Sequence, residues 1–190
     1  MSIYQKTSGS PFLYDTATND IVGLKDPDGS EAMFPRNYGM FQDNTTQTNA
    51  GALADPVEAN IMSFDTTDFA YGVSIVDDTK ITIANNGVYN VQFSSQFSRA
   101  GGAGFSTVEV WLKKNGVNVA ESNTSLNIPQ SGGKSVAAWN FLIQANAGDY
   151  YELAWYSDDA DVEMWHSAEG TDPARPEIPS VILTVTQIGT

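Results

Sequence analysis

Apolar side chains in this chain return at every second position, in short stretches divided by Gly, Asn and Asp. In Val88-Tyr89-Asn90-Val91-Gln92-Phe93-Ser94-Ser95-Gln96-Phe97, the residues Val91, Phe93, Ser95 and Phe97 share one face while Asn90, Gln92, Ser94 and Gln96 share the other. That is the period of a half-buried antiparallel strand. No stretch sustains the three-and-four spacing of an amphipathic helix. Strands are predicted at residues 38–42, 60–64, 72–76, 80–84, 87–98, 105–114, 117–127, 134–145, 149–157, 161–168 and 179–188. Asn115-Gly116 between two such runs predicts a tight hairpin, because both residues tolerate the positive φ of a type I′ turn. Residues 145–149 predict a second turn, and the β-branched segment from Pro179 to Ile188 reads as a central strand. So many antiparallel strands with short turns imply an all-β fold, either a two-sheet sandwich or a barrel.

Residues 1–36 read differently from residues 37–190. Phe12-Leu13-Tyr14 and Ile21-Val22-Gly23-Leu24 flank a turn-prone Asp/Thr/Asn segment, which predicts a small β-hairpin on an extended N-terminal arm. A lone hairpin is marginal in water, so it must dock on something. The reading favoured is an anchoring arm that uses Phe12, Leu13, Tyr14, Ile21, Val22 and Leu24.

Charge and composition exclude several functions. Nine Lys and Arg stand against 23 Asp and Glu, a formal net charge of −14, so phosphate backbones and anionic lipid are repelled. No nucleic acid or membrane partner is expected. Cysteine is absent and histidine occurs once, at His166, which removes thiolate catalysis, disulfides and every Cys- or His-pair metal site. No signal peptide or long apolar run is visible, so the chain is expected to be soluble.

The remaining motifs point away from chemistry. Gly133-Lys134-Ser135 lacks the earlier glycine of a phosphate loop and precedes a strand rather than a helix, which leaves Lys134 as a solvated loop residue. His166 has no nucleophile or oriented partner in a recognisable motif, so no catalytic residue, enzyme activity or cofactor is expected. Asp158, Asp159, Asp161 and Glu163 crowd one turn and are weak calcium candidates, without the spacing of a dedicated calcium loop. Trp165, His166 and Tyr156 are the candidate glycan-binding residues, with the loops 98–105 and 127–134 as a recognition surface. Trp139, Trp155 and Tyr151 read as core. Asn44-Thr45-Thr46 and Asn123-Thr124-Ser125 match glycosylation acceptors but read as polar turns.

The series Asp65-Thr66-Thr67-Asp68, Gly72-Val73-Ser74-Ile75-Val76, Lys80-Ile81-Thr82-Ile83 and Asn86-Gly87-Val88-Tyr89-Asn90-Val91-Gln92-Phe93 resembles the early strands of tumour-necrosis-factor-like jelly rolls. The similarity continues through Val110-Trp111-Leu112-Lys113-Lys114-Asn115-Gly116, Ala147-Gly148-Asp149-Tyr150-Tyr151-Glu152-Leu153 and the last strand, over residues 38–190. Such domains resemble those of bacteriophage virion structural proteins, in tail-fibre heads and head decorations. The arm, with Pro11-Phe12-Leu13-Tyr14-Asp15 and Asp26-Pro27-Asp28-Gly29-Ser30, is similar to short N-terminal segments of phage virion proteins. The resemblance implies a two-sheet jelly-roll sandwich, a homotrimer, location in the virion, and a phage capsid or tail protein as partner through the arm. A short arm without a shaft favours capsid decoration over a tail fibre. The alternatives are a tail-fibre tip recognising a host-surface glycan and a carbohydrate-binding module.

Overall fold

The computed structural model describes residues 37–189 in full; before them it describes Ala17 and the backbone of Ile3–Tyr4, Phe12–Asp15, Ile21–Lys25 and Glu31–Met33. The chain divides into two units, Met1–Arg36 and Asn37–Thr190. In the first, the four segments pair antiparallel in chain order, with Phe12 opposite Leu24 and Leu13 opposite Gly23. The expected hairpin is therefore the middle of a four-stranded sheet. The side chains of Phe12, Leu13, Tyr14, Ile21, Val22 and Leu24 lie outside the described residues.

The second unit is an antiparallel jelly-roll sandwich. Its main strands are β1 (Tyr38–Asp43), β2 (Thr66–Tyr71), β3 (Val73–Val76), β4 (Lys80–Ile83), β5 (Gly87–Arg99), β6 (Ser106–Lys114), β7 (Thr124–Ile128), β8 (Lys134–Ala145), β9 (Tyr150–Tyr156), β10 (Val162–Met164) and β11 (Val181–Gly189). One sheet runs β8-β5-β11-β1-β2, with β10 continuing beside the Phe97–Arg99 end of β5. The other runs β7-β6-β9-β4-β3, with Asn60–Ile61 added on β9 and Val117–Asn118 on β6. Strands β5 to β6, β7 to β8 and β8 to β9 each cross between sheets, the winding of a jelly roll. The last strand is central, as expected, between β5 and β1.

Alternation builds the core. Val91, Phe93, Ser95 and Phe97 are buried from one sheet, and Val108, Val110, Leu112, Leu153 and Trp155 from the other. Asn37, at the start of this unit, is 2% exposed. Its amide donates to Tyr89 Oη at 2.8 Å and to Gln187 Oε1 at 2.7 Å, and it accepts from Asn85 Nδ2 at 3.0 Å. Buried polar groups need such partners, so this network pins the first residue of this unit to its last strand and to β5.

The predicted strands 60–64 and 161–168 shorten to Asn60–Ile61 and Val162–Met164, and two larger differences appear. Thr66–Tyr71 was not expected: it is an edge strand exposed on nearly every residue, so it carries no alternation to read. The predicted strand 117–127 is broken into Val117–Asn118 and Thr124–Ile128, with Glu121 at φ 63° between them. Ser122 makes the break: its hydroxyl, buried, accepts from Leu112 N at 3.0 Å and donates to Val119 O at 2.8 Å. A side chain thus replaces the ladder, and residues 119–123 stand out as a loop.

The Asn115-Gly116 turn has φ of 50° and 81°, as a type I′ turn requires. It is clamped to the 146–149 turn, because Asp149 accepts from Asn115 Nδ2 at 2.9 Å and from Asn146 N at 2.8 Å, and pairs with Lys114 Nζ at 2.7 Å. The Lys114 hydrogen bond, followed by those of Asn115 and Asn146, holds the Asp149 carboxyl down at about 2. A lowered folded value stabilises above the unfolded carboxyl range of about 3.9 and is lost as pH falls through the folded one. The Asp149→Asn variant is therefore expected to melt below the native chain at pH 6, and the gap to close between about pH 4 and pH 2. Paired thermal melts across that range check it; a gap that does not vary with pH would remove the carboxylate from the clamp.

Candidate functional site

The structure separates the predicted site residues. Trp165 follows β10, where its N–H donates to Gln96 O at 2.7 Å, in the first sheet. Tyr156 ends β9 in the second sheet, opposite Glu109. His166 lies 3.5 Å from Glu177 through Nε2, and its backbone N–H donates to Thr46 Oγ1 at 3.2 Å. Trp165 and Tyr156 therefore belong to different sheets. Lys134 is exposed, as expected, and places Nζ 2.9 Å from the centroid of the Trp165 ring, a cation–π contact that covers one face of the indole.

The acidic turn is also dispersed. Asp159 accepts from Arg99 Nε and from Ser106 Oγ, both at 2.6 Å, and from Asp161 N at 3.0 Å. Its carboxyl is held below the ordinary range, chiefly by the Ser106 hydroxyl, with Asp161 N–H and Arg99 adding to this against the cost of burial. Glu163 accepts from Ser98 Oγ at 2.9 Å, and Asp158 is exposed. Asp159 and Glu163 serve different partners, and among the described residues no three acids or histidines converge on a metal position. Arg99 also donates to Gly104 O at 2.9 Å, so the loop 98–105 is organised around a buried guanidinium. Trp155 and Tyr151 are core, and Trp139 packs edge-on against Phe93 at 4.8 Å.

Two surfaces emerge that were not expected. The outer face of the first sheet can be read from its register. One row is Tyr71, Tyr38, Thr186, Asn90 and Leu142; the next is Phe69, Met40, Thr184, Gln92 and Asn140; a third is Gln42, Ile182, Ser94 and Ala138. None of these is charged, in a chain of net charge −14. Charge enters at the borders, at Asp68 in the bulge of edge strand β2 and at the end of the sheet where Lys134 and Glu163 flank Ser98. Tyr38, Phe69 and Tyr71 form an exposed aromatic corner, with ring centroids 6.0 and 6.4 Å from Tyr38.

The second surface is a cleft of about 250 Å³ on the other sheet, lined by Glu109, Trp111, Asn118, Val119, Glu121 and Asn123. Because Val108, Val110 and Leu112 point into the core, Glu109 and Trp111 point outward on β6. The loop 119–123, lifted by Ser122, supplies the wall. Trp111 Nε1 donates to Asn118 Oδ1 at 2.9 Å, and Asn123 Nδ2 donates to Glu109 Oε2 at 3.3 Å. Glu121 is exposed and has no hydrogen-bond or ion-pair partner among the described residues. The signal was present in the sequence: an aromatic residue on the polar side of a half-buried strand, beside a run of turn-forming residues. No protein-family model and no curated protein sequence matches this chain.

Proposed function

We propose that the chain is a non-enzymatic structural protein of a bacteriophage particle, a homotrimer of jelly rolls attached through residues 1–36 and seated as a capsid decoration. The observation that carries the trimer is the charge-free sheet face. Identical copies with net charge −14 repel one another over most of their surface. Only an uncharged face with exposed apolar side chains lets like-charged copies approach without burying unpaired carboxylates. The separate N-terminal unit supports the attachment role, and the strand series that resembles phage virion jelly rolls supports the particle.

Light scattering is expected to give three times the 20.5 kDa chain mass, with the mass per trimer falling only by the arm when residues 1–36 are removed. Thr184→Glu and Gln92→Glu each place a charge at the centre of the face and are expected to give monomers that keep the native circular dichroism. A monomeric native chain, or trimers that tolerate both charges, would end the reading. Binding of the native chain to tailless heads, compared with binding to isolated tails, then separates capsid from tail attachment.

A further inference from the structure

We propose that the cleft at Trp111 is a binding site for one uncharged pyranose ring, stacked on the indole and held through its hydroxyls by Glu109, Glu121, Asn118 and Asn123. This does not depend on the trimer, whose face lies on the other sheet.

The volume, about 250 Å³, is just under the roughly 300–1,000 Å³ of drug-sized ligands and on the scale of a single sugar ring. The floor is aromatic, and the indole N–H is already satisfied by Asn118 Oδ1, so what Trp111 offers a ligand is its ring. The rim has both kinds of polar group. Asn118 Nδ2 remains a donor, Asn123 Oδ1 remains an acceptor, and the carboxylates of Glu109 and Glu121 accept from several hydroxyls at once. A cation needs acceptors alone; a polyhydroxylated ring uses donors and acceptors together. Acidic sugars are disfavoured because the two charged residues that line the cleft, Glu109 and Glu121, are both acids, while Lys113 borders it between Asn118 and Glu152. Tyr156, directly across from Glu109 on the neighbouring strand, borders the same surface. One of the three residues expected to bind a glycan thus stands beside the cleft, while Trp165 lies on the other sheet beneath Lys134.

The site is also rigid. Val119 packs against the core, and Ser122 ties the loop to Leu112 through a buried hydrogen bond and to Val119 O through its hydroxyl, so the wall is held in place before a ligand arrives.

The test is an NMR titration of the full chain, following the Trp111 indole N–H, identified with Trp111→Phe. The probes are methyl glycosides of glucose, galactose, mannose and N-acetylglucosamine, with N-acetylneuraminic acid and arginine as charged comparisons. At least one neutral glycoside is expected to bind with Kd on the order of 1 mM. Glu121→Gln and Trp111→Ala are each expected to weaken it by about tenfold or more, the latter followed on the Asn123 side-chain amide that also lines the cleft, and Trp165→Ala to leave it unchanged. Glu121 has no partner among the described residues, so Glu121→Gln is expected to melt with the native chain, which keeps the readout free of folding effects. Absence of a shift with every neutral glycoside well above the millimolar range overturns the proposal. Tighter binding of arginine, removed by Glu121→Gln, overturns it in favour of a cationic ligand.

Discussion

Replacing Arg99 with leucine is expected to destabilise the jelly roll by about 3–5 kcal/mol, the cost of breaking a buried ion pair from one side. Arg99 is 6% exposed. Its Nε donates to Asp159, and Nη1 donates to Gly104 O and more weakly to Ala103 O at 3.4 Å. Leucine fills part of the volume and satisfies none of these acceptors. Asp159 is held in its charged form chiefly by Ser106, so at neutral pH the variant retains a carboxylate with no cation beside it. The milder Asp159→Asn change is expected to cost less, because Asn keeps a carbonyl for Arg99 while the guanidinium keeps its carbonyl partners in the 98–105 loop. Urea unfolding of both single variants and the double variant gives the pairwise coupling directly. A loss below about 1 kcal/mol for Arg99→Leu would place the pair among exposed salt bridges and contradict its burial.

The second large effect is at Trp155. Trp155→Ala is expected to cost about 3–5 kcal/mol, while Trp111→Ala is expected to cost a small fraction of that. Trp155 is fully buried at the centre of the second sheet and meets Phe97 of the first at 5.3 Å, edge to face. Its removal leaves a cavity across the layer that joins the two sheets, and a close-packed sandwich relaxes into such a space only in part. Trp111 is half-buried on the outer side of the same sheet, so its loss removes surface contacts and no core volume. Urea midpoints with unchanged slopes check both; equal losses would mean that Trp111 is structural and that the cleft is an accident of packing.

These two tryptophans show how far the sequence could be read. The period-two pattern around Val108, Val110 and Leu112 already places Trp111 outward, and the same pattern around Tyr151 and Leu153 places Trp155 inward. Alternation is a local property of extended backbone, so it survives in the sequence. The break at residues 119–123 does not, because it depends on Ser122 reaching Leu112 across the strand pair. Nor did the acidic turn disclose its role: Asp159 pairs with an arginine 60 positions earlier, and only the register of β5 against β10 brings them together. Trp165 reads as an exposed aromatic until Lys134, on the far side of β5, is folded over it.

The sequence by itself determined the all-β class, the inward and outward faces of each long strand, and the Asn115-Gly116 turn, because each follows from backbone geometry within a few residues. Tertiary structure alone decided which outward faces stand side by side. Thr186, Asn90 and Leu142, or Met40, Thr184 and Gln92, are far apart in the chain and become neighbours only through strand register. A face without charge is therefore a property of the sheet rather than of any segment, and the sum of short-range patterns does not contain it.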